Sequence, residues 1–150
     1  MVRVQNYING KFQCALSGAT LDNIEPGTGA IYGRLPESDT QDIALAHAAA
    51  KEAFSTWRNT TLEERSGLLV RIADLIDEHC ELLAQAESRD NGKPLALAMS
   101  VDIPRASSNF RFFAQALTQF SSEAHESVGK STINFTLRHP IGVVGCISPW

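Results

Sequence analysis

The sequence has little cysteine: only 3 residues in 150, at positions 14, 80 and 146. Thiols this few and this scattered exclude a disulfide framework and a tetrahedral zinc site, which needs clustered thiolates and imidazoles. The 4 histidines are also scattered singly. We therefore expect reduced thiols, no bound metal and a cytoplasmic location.

Long apolar runs, blocks of one charge, internal repeats and low-complexity segments are also missing. No stretch approaches the roughly 18 apolar residues that a membrane span needs, and the N-terminal MVRVQNYINGKF lacks the apolar core of a signal peptide. The 13 basic residues are spread singly, and the formal net charge is −4. This distribution contains no cluster of basic residues that could bind a phosphate backbone, so neither nucleic acid nor a membrane is an expected partner.

What remains is a globular composition, with 43% hydrophobic and 20% charged residues. Residues 6–35 place Asn9-Gly10 and Pro26-Gly27 between short apolar segments, a pattern typical of strands joined by turns. Helical periodicity dominates after them. This order of elements is compatible with a single domain or a piece of one.

Two capping boxes predict where helices begin. They are Ser38-x-x-Gln41 and Thr61-x-x-Glu64. The first opens a helix over residues 39–57. The second opens a periodic run to about residue 90, which is one helix or a pair that meets near His79.

Glycine and proline then predict two interruptions. Gly92 and Pro94 end the helical run, and a new helix starts at or after Pro94. Pro104 disfavours a helical conformation at Ile103, so Asp102 is expected as a cap. The following helix covers residues 105–120, and its predicted buried face consists of Phe110, Phe113, Ala114 and Leu117.

The last part of the chain reads as strands. Apolar and polar residues alternate over residues 133–138, which predicts a half-buried strand. Residues 141–147 are continuously apolar, as in a strand covered on both faces in a parallel α/β sheet, and Cys146 would be buried there. Such a strand needs parallel neighbours, so we expect an architecture cut where its central sheet begins.

Four segments, in this order, resemble the N-terminal third of an NAD(P)-dependent aldehyde dehydrogenase. They are YINGKF at 7–12, NIEPGTG at 23–29, DNGKP at 90–94 and PIGVVGCISPW at 140–150. AMSVDIPR at 98–105 and NFRFFA at 109–114 are similar to the branch that oxidises 2-aminomuconic and 2-hydroxymuconic semialdehydes.

The resemblance implies an α/β fold: the N-terminal helical part of a Rossmann-type cofactor domain, truncated at the first parallel strand. Residues 1–123 would be strand hairpins followed by helices of the cofactor domain. Residues 124–140 would be an oligomerisation-type strand segment, which implies a homo-oligomer in the complete enzyme. Residues 141–150 would be the first strand and loop of the nucleotide-binding sheet.

The resemblance also implies site residues. Ile147, Ser148, Pro149 and Trp150 would line an NAD cofactor, or NADP. Arg105 would clamp an acid group of the substrate; the alternative is a solvated helix arginine. Asp102 would be a helix cap or, as in some relatives, one ligand of a structural monovalent cation beside a backbone oxygen near Ile24.

No residue of the chain is assigned a catalytic role. The family nucleophile and the glutamate that activates water would both lie after residue 150. Cys80 adjoins His79, but neighbouring helix residues do not face each other; Cys146 is expected inside a strand, and Cys14 in the hairpin region. We expect an inactive fragment of an aldehyde-oxidising enzyme or, alternatively, a non-catalytic module that binds a full-length relative through its strand segment.

Overall fold

The computed structural model describes residues 2–148, which form strands, then helices, then a hairpin. The first strands are β1 (Val2–Arg3), β2 (Asn6–Ile8), β3 (Lys11–Gln13), β4 (Thr20–Glu25) and β5 (Ala30–Pro36). Strands β2 and β3 form a hairpin whose turn places Asn9 and Gly10 at positive φ, as an Asn-Gly turn requires. Strand β5 pairs antiparallel with β4 and parallel with β1. The predicted strand-and-turn character of this region is confirmed.

The helices follow in the predicted order. They are α1 (Thr40–Trp57), α2 (Leu62–Glu78), α3 (Cys80–Asn91), α4 (Leu95–Leu97) and α5 (Ile103–Gln119). Thr61 and Glu64 form the predicted capping box of α2, and His79 separates α2 from α3. Gly92 ends α3 in the left-handed conformation, with φ 79°.

The capping box of α1 lies one residue later than the sequence pattern predicts. Asp39 is the N-cap, and its side chain accepts from the backbone N–H groups of Gln41 and Asp42. The Asp42 carboxylate in turn accepts from the backbone of Asp39 at 3.1 Å. Ser38 is unavailable as a cap because its hydroxyl hydrogen-bonds with the side chain of Asn6.

The expected break before Pro104 is also wrong. A π-helical turn, Ala98–Asp102, joins α4 to α5, and Asp102 is helical with no capping hydrogen bond from its side chain. Proline cannot donate a backbone hydrogen bond and collides with the carbonyl four residues earlier. The wider π turn accommodates Pro104 near the start of α5 without ending the helix.

Small residues form the core. Among the described residues, Ala73, Ala84, Ala98 and Ala114 are fully buried. Helices α2 and α5 make the most extensive contact in this part of the chain. Of the predicted buried face of α5, Ala114 is buried and Phe110 and Leu117 are half-buried, but Phe113 is 61% exposed.

A charge clamp holds the outer edge of this helix pair. Arg111 on α5 donates to the carboxylate of Asp74 at 2.7 Å and also to that of Asp77, both on α2. The Ser66 hydroxyl of α2 donates to the carbonyl oxygen of Ala114 at 2.8 Å. These contacts give Arg111 a structural role between the two helices.

The last described segment is a hairpin followed by irregular chain. Strands β6 (Ala124–Ser127) and β7 (Thr132–Phe135) pair antiparallel. Strand β7 overlaps the predicted 133–138 strand only at residues 133–135, and its apolar side chains are exposed rather than half-buried. The strand expected over residues 141–147 does not form, and Cys146 is exposed rather than buried. A parallel strand needs neighbours for its backbone hydrogen bonds, and residues 2–148 provide none for this segment.

None of the helices between residues 2 and 148 combines the length and the apolar composition that crossing a bilayer requires.

Candidate functional site

Arg105 lies in the first turn of α5, directly after Pro104, and its side chain is exposed. Within residues 2–148 it forms no ion pair and no side-chain hydrogen bond. The guanidinium keeps its donors available for a carboxylate, which it can bind through two parallel hydrogen bonds. The structure thus places the predicted substrate arginine on a rigid helix start with a free head group.

A charged cluster lies one turn before Arg105. The ammonium of Lys93 lies 2.7 Å from the Oδ2 atom of Asp102 and 3.3 Å from Oε1 of Glu87. Oδ2 of Asp102 is buried and has no other hydrogen-bond partner in the described structure. Hydrogen bonding to Asp102, reinforced by Glu87, raises the pKa of Lys93, so the ammonium stays charged. The cluster links the end of α3 to the π-helical turn.

The backbone around Lys93 is fixed by its neighbours. The Ser88 hydroxyl donates to the carbonyl oxygen of Lys93 at 2.7 Å, and the backbone N–H of Lys93 donates to the side chain of Asn91 at 2.9 Å. Gly92 has a left-handed conformation, and a Cβ there would lie 3.1 Å from Cβ of Pro26. Lys93 is therefore held at a defined position.

This cluster shows what the Asp102 side chain contacts. Asp102 directly precedes α5, but its side chain makes no capping hydrogen bond, and its carboxylate forms an ion pair with Lys93. Within residues 2–148, no three acidic, histidine or cysteine side chains come together as a metal site. Within the described structure Asp102 takes part in an ion pair, and its role in a monovalent cation site stays a prediction.

Of the four residues expected to line the cofactor, Ile147 and Ser148 lie in the described structure, and no described contact brings them together with Arg105. Ile147 is 97% exposed, and Ser148 is exposed in irregular chain. Pro149 and Trp150 lie outside the described residues. The described part of this segment does not form an enclosed cleft, because the parallel strands that would flank it are not among residues 2–148.

Neither Cys14 nor Cys80 has a general base as a hydrogen-bond partner within residues 2–148. Cys80 begins α3 and is half-buried, as a packing role predicts. The Cys14 sulfur accepts from Arg3 at 3.1 Å and from Gln5 at 3.9 Å. Neither neighbour can accept a proton from a thiol.

Sequence reasoning missed the Lys93–Asp102 pair and a second polar network that joins the sheet to α3. In that network the Tyr32 hydroxyl donates to Asp90, and Asn23 donates to both. The Tyr32 network joins residues far apart in the chain, and the Lys93–Asp102 pair crosses from the end of α3 to the next helical turn; periodicity reveals neither. The one available signal was Pro104 within an otherwise helical pattern, which is a feature of π-helical turns as well as of helix ends.

Residues 14–150 match the profile of the aldehyde dehydrogenase family. The chain is 43% identical over 150 residues to human 2-aminomuconic semialdehyde dehydrogenase, covering 100% of this chain and 30% of that protein. It is 36% identical over 154 aligned residues to 2-hydroxymuconic semialdehyde dehydrogenase of Pseudomonas sp., covering 100% of this chain and 32% of the relative.

A solved structure shows the same fold. The NAD-dependent aldehyde dehydrogenase of Sinorhizobium meliloti superposes with a TM-score of 0.85 at 34% identity, over 92% of this chain and 28% of that one. The chain thus spans about 30% of the length of the human relative. The predicted resemblance and the mixed helix-and-strand fold of an N-terminal portion are confirmed. The chain belongs to the aldehyde dehydrogenase family.

Proposed function

We propose that this chain is the N-terminal part of an oxidoreductase that converts an aldehyde to a carboxylic acid with NAD(P). The proposed substrate is a semialdehyde that carries an acid group, as in the muconic series. Family membership and the names of the human and Pseudomonas relatives support this class of reaction and substrate.

The observation that carries the substrate class is the free guanidinium of Arg105. It is exposed at a helix start, and within residues 2–148 it forms no ion pair and no side-chain hydrogen bond. The planar guanidinium of Arg105 could bind a substrate carboxylate without breaking another contact. Two parallel hydrogen bonds would then fix the orientation of that carboxylate.

The proposed cofactor residues are Ile147, Ser148, Pro149 and Trp150, and the proposed cofactor is NAD or NADP. Their assignment is supported by the resemblance of residues 140–150 to the family segment and by the NAD-dependent relative of Sinorhizobium meliloti. The exposure of Ile147 and Ser148 means that further strands must flank this segment before it can enclose a dinucleotide.

The isolated chain is proposed to be inactive. Addition of a thiolate to an aldehyde needs an activated cysteine, and release of the acid needs a general base. Within residues 2–148 the Cys14 sulfur accepts hydrogen bonds from an arginine and a glutamine, and Cys80 is half-buried. An assay of the purified 150-residue chain with NAD and a range of aldehydes should therefore show no NADH formation.

A chimera tests the substrate assignment. Residues 1–150 of this chain replace the matching segment of the human relative, with which they align over their whole length. We expect the chimera to oxidise 2-hydroxymuconic semialdehyde. Loss of a charged bidentate contact in R105M should raise KM for this substrate about tenfold or more, while KM for benzaldehyde stays unchanged.

The matched control is R71M, because Arg71 is an exposed helix arginine that forms no ion pair within residues 2–148. It should leave both KM values unchanged. Equal effects of R105M on the acidic and the neutral aldehyde would contradict a carboxylate clamp and would favour a solvated helix arginine.

A second candidate function is a non-catalytic module that binds a full-length relative. It is favoured by the β6–β7 hairpin, where Ile133 and Phe135 are 73% and 66% exposed. Mixing the purified chain with the purified human relative and measuring mass by light scattering tests it: a mixed complex supports the module, and two separate species exclude it.

A further inference from the structure

The pairing of Lys93 with Asp102 affects which carboxylates Arg105 can bind, because Asp102 lies close to Arg105 on the helix. Asp102 precedes Arg105 by three residues, and the backbone of Asp102 and Ile103 is right-handed helical. Side chains at this spacing are neighbours on a helix, and an acidic residue there attracts an arginine. A free Asp102 would therefore be an intramolecular competitor for any carboxylate that Arg105 binds.

The structure shows a different pairing. The π-helical turn that contains Asp102 packs against α3, and there the Asp102 carboxylate meets the Lys93 ammonium at 2.7 Å. The Lys93 ammonium also lies 3.3 Å from the Glu87 carboxylate. Arg105 is left without an acidic partner among residues 2–148.

We propose that Lys93 is a positioning residue for substrate recognition: it engages Asp102 and so keeps the Arg105 guanidinium free for an acidic substrate. This rests on the proposed substrate role of Arg105. The π-helical turn contributes to this arrangement because it places Asp102 against α3, where Lys93 can reach it. Removal of the Lys93 ammonium leaves the Asp102 carboxylate with Arg105 as its nearest available cation along the helix.

Arginine-selective labelling tests this pairing in the 150-residue chain without any substrate. The chain is treated with phenylglyoxal at neutral pH, and modification of each arginine is followed by mass spectrometry. In K93M, pairing with Asp102 should slow labelling of Arg105 about two- to fivefold, the range for a solvent-accessible ion pair. K93R should label as the unmodified sequence does, and the double variant K93M/D102N should recover the original rate.

Two internal references accompany each measurement. Arg71 is exposed, and its rate should stay constant in all variants. Arg111 is held by Asp74 and Asp77, so faster labelling of Arg111 reports unfolding. An unchanged or faster rate at Arg105 in folded K93M overturns the proposal.

D102N alone supplies a second test if K93M unfolds. With Lys93 present, Asp102 is not the partner of Arg105, so D102N should leave the labelling of Arg105 unchanged. Faster labelling of Arg105 in D102N would show that Asp102 pairs with it already and would overturn the proposal. Failure of the substrate role itself would appear separately, as a KM unaffected by R105M in the chimera.

Discussion

The hydroxyl of Tyr32 on β5 donates a hydrogen bond of 2.7 Å to the carboxylate of Asp90 near the end of α3. Asn23 on β4 donates to the same carboxylate oxygen at 3.1 Å and to the Tyr32 hydroxyl at 2.9 Å. The guanidinium of Arg89 covers the Tyr32 ring at 4.4 Å. This network attaches the N-terminal sheet to the helices.

Removal of the Tyr32 hydroxyl should loosen that attachment. We expect Y32F to lower the free energy of unfolding by about 0.5–1 kcal/mol, because the Asp90 carboxylate loses a donor. Urea unfolding followed by circular dichroism measures the change. Y7F is the matched control, since Tyr7 is exposed and its hydroxyl has no hydrogen bond within residues 2–148; an equal loss in Y7F would contradict the role of the network.

The same network predicts a pH dependence. The hydrogen bond to Asp90, with burial as the next cause, raises the pKa of Tyr32 above its ordinary 10.0. The folded state thus favours the neutral phenol, so this stabilisation is complete below pH 10 and is lost as pH rises through the raised pKa. The stability difference between the unmodified chain and Y32F should be constant up to about pH 10 and shrink above it. If the stability difference between the unmodified chain and Y32F grew above that pH, it would contradict the raised pKa of Tyr32.

The clamp between α2 and α5 should be sensitive to acid. Hydrogen bonds from Ser107 and then from Arg111 lower the pKa of Asp77 below its ordinary 3.8. A lowered pKa contributes stability that is present above the unfolded value and is lost as pH falls through the folded value. We therefore expect R111A to lower the melting temperature at pH 7, and this difference from the unmodified chain to narrow below about pH 4.

Two variants control the Arg111 experiment. R111K keeps the positive charge but lacks the guanidinium that contacts Asp74 and Asp77 together. It should therefore recover only part of the decrease in melting temperature. R71A removes an exposed arginine without an ion pair in the described structure and should leave the melting temperature unchanged. A difference between R111A and the unmodified chain that widens in acid would be incompatible with the lowered pKa of Asp77.

Local patterns predicted the helices well because their signals lie within a few residues. Thr61 and Glu64 cap α2 as the sequence indicates, and Gly92 ends α3 through its left-handed backbone. The start of α1 was predicted one residue early because two long-range contacts decide it. Asn6 engages Ser38, and the buried carboxylate of Asp42 accepts from the backbone of Leu16 at 3.0 Å.

This correction gives a prediction for α1. D39A removes the side chain that accepts from two backbone N–H groups, and it should cost about 1 kcal/mol of stability. Q41A changes the residue that the sequence pattern had assigned to the capping box, and it should have little effect because Ala is a strong helix former. Chemical denaturation measures both; a larger loss in Q41A than in D39A would restore the original assignment.

The candidate site was predictable only in part, for physical reasons. Arg105 was proposed as a substrate-binding residue because of the family resemblance, and local patterns predicted only that it lies near the start of a helix. The Lys93–Asp102 pair could not, since it depends on how the π-helical turn packs against α3. The segment after residue 140 needs parallel neighbours to become a strand, and residues 2–148 contain none for it.

The β6–β7 hairpin and the apolar segment after it predict self-association. Both strands leave one edge unpaired in the described structure, and Ile133 and Phe135 are largely exposed. Unpaired apolar edges are templates for pairing with another chain. We expect the 150-residue chain to form oligomers or aggregates, whereas a version ending at Ser122 stays monomeric. Size-exclusion chromatography with light scattering compares them; a monomeric full chain, no more prone to aggregate than the shorter one, would show that these edges are satisfied within the molecule.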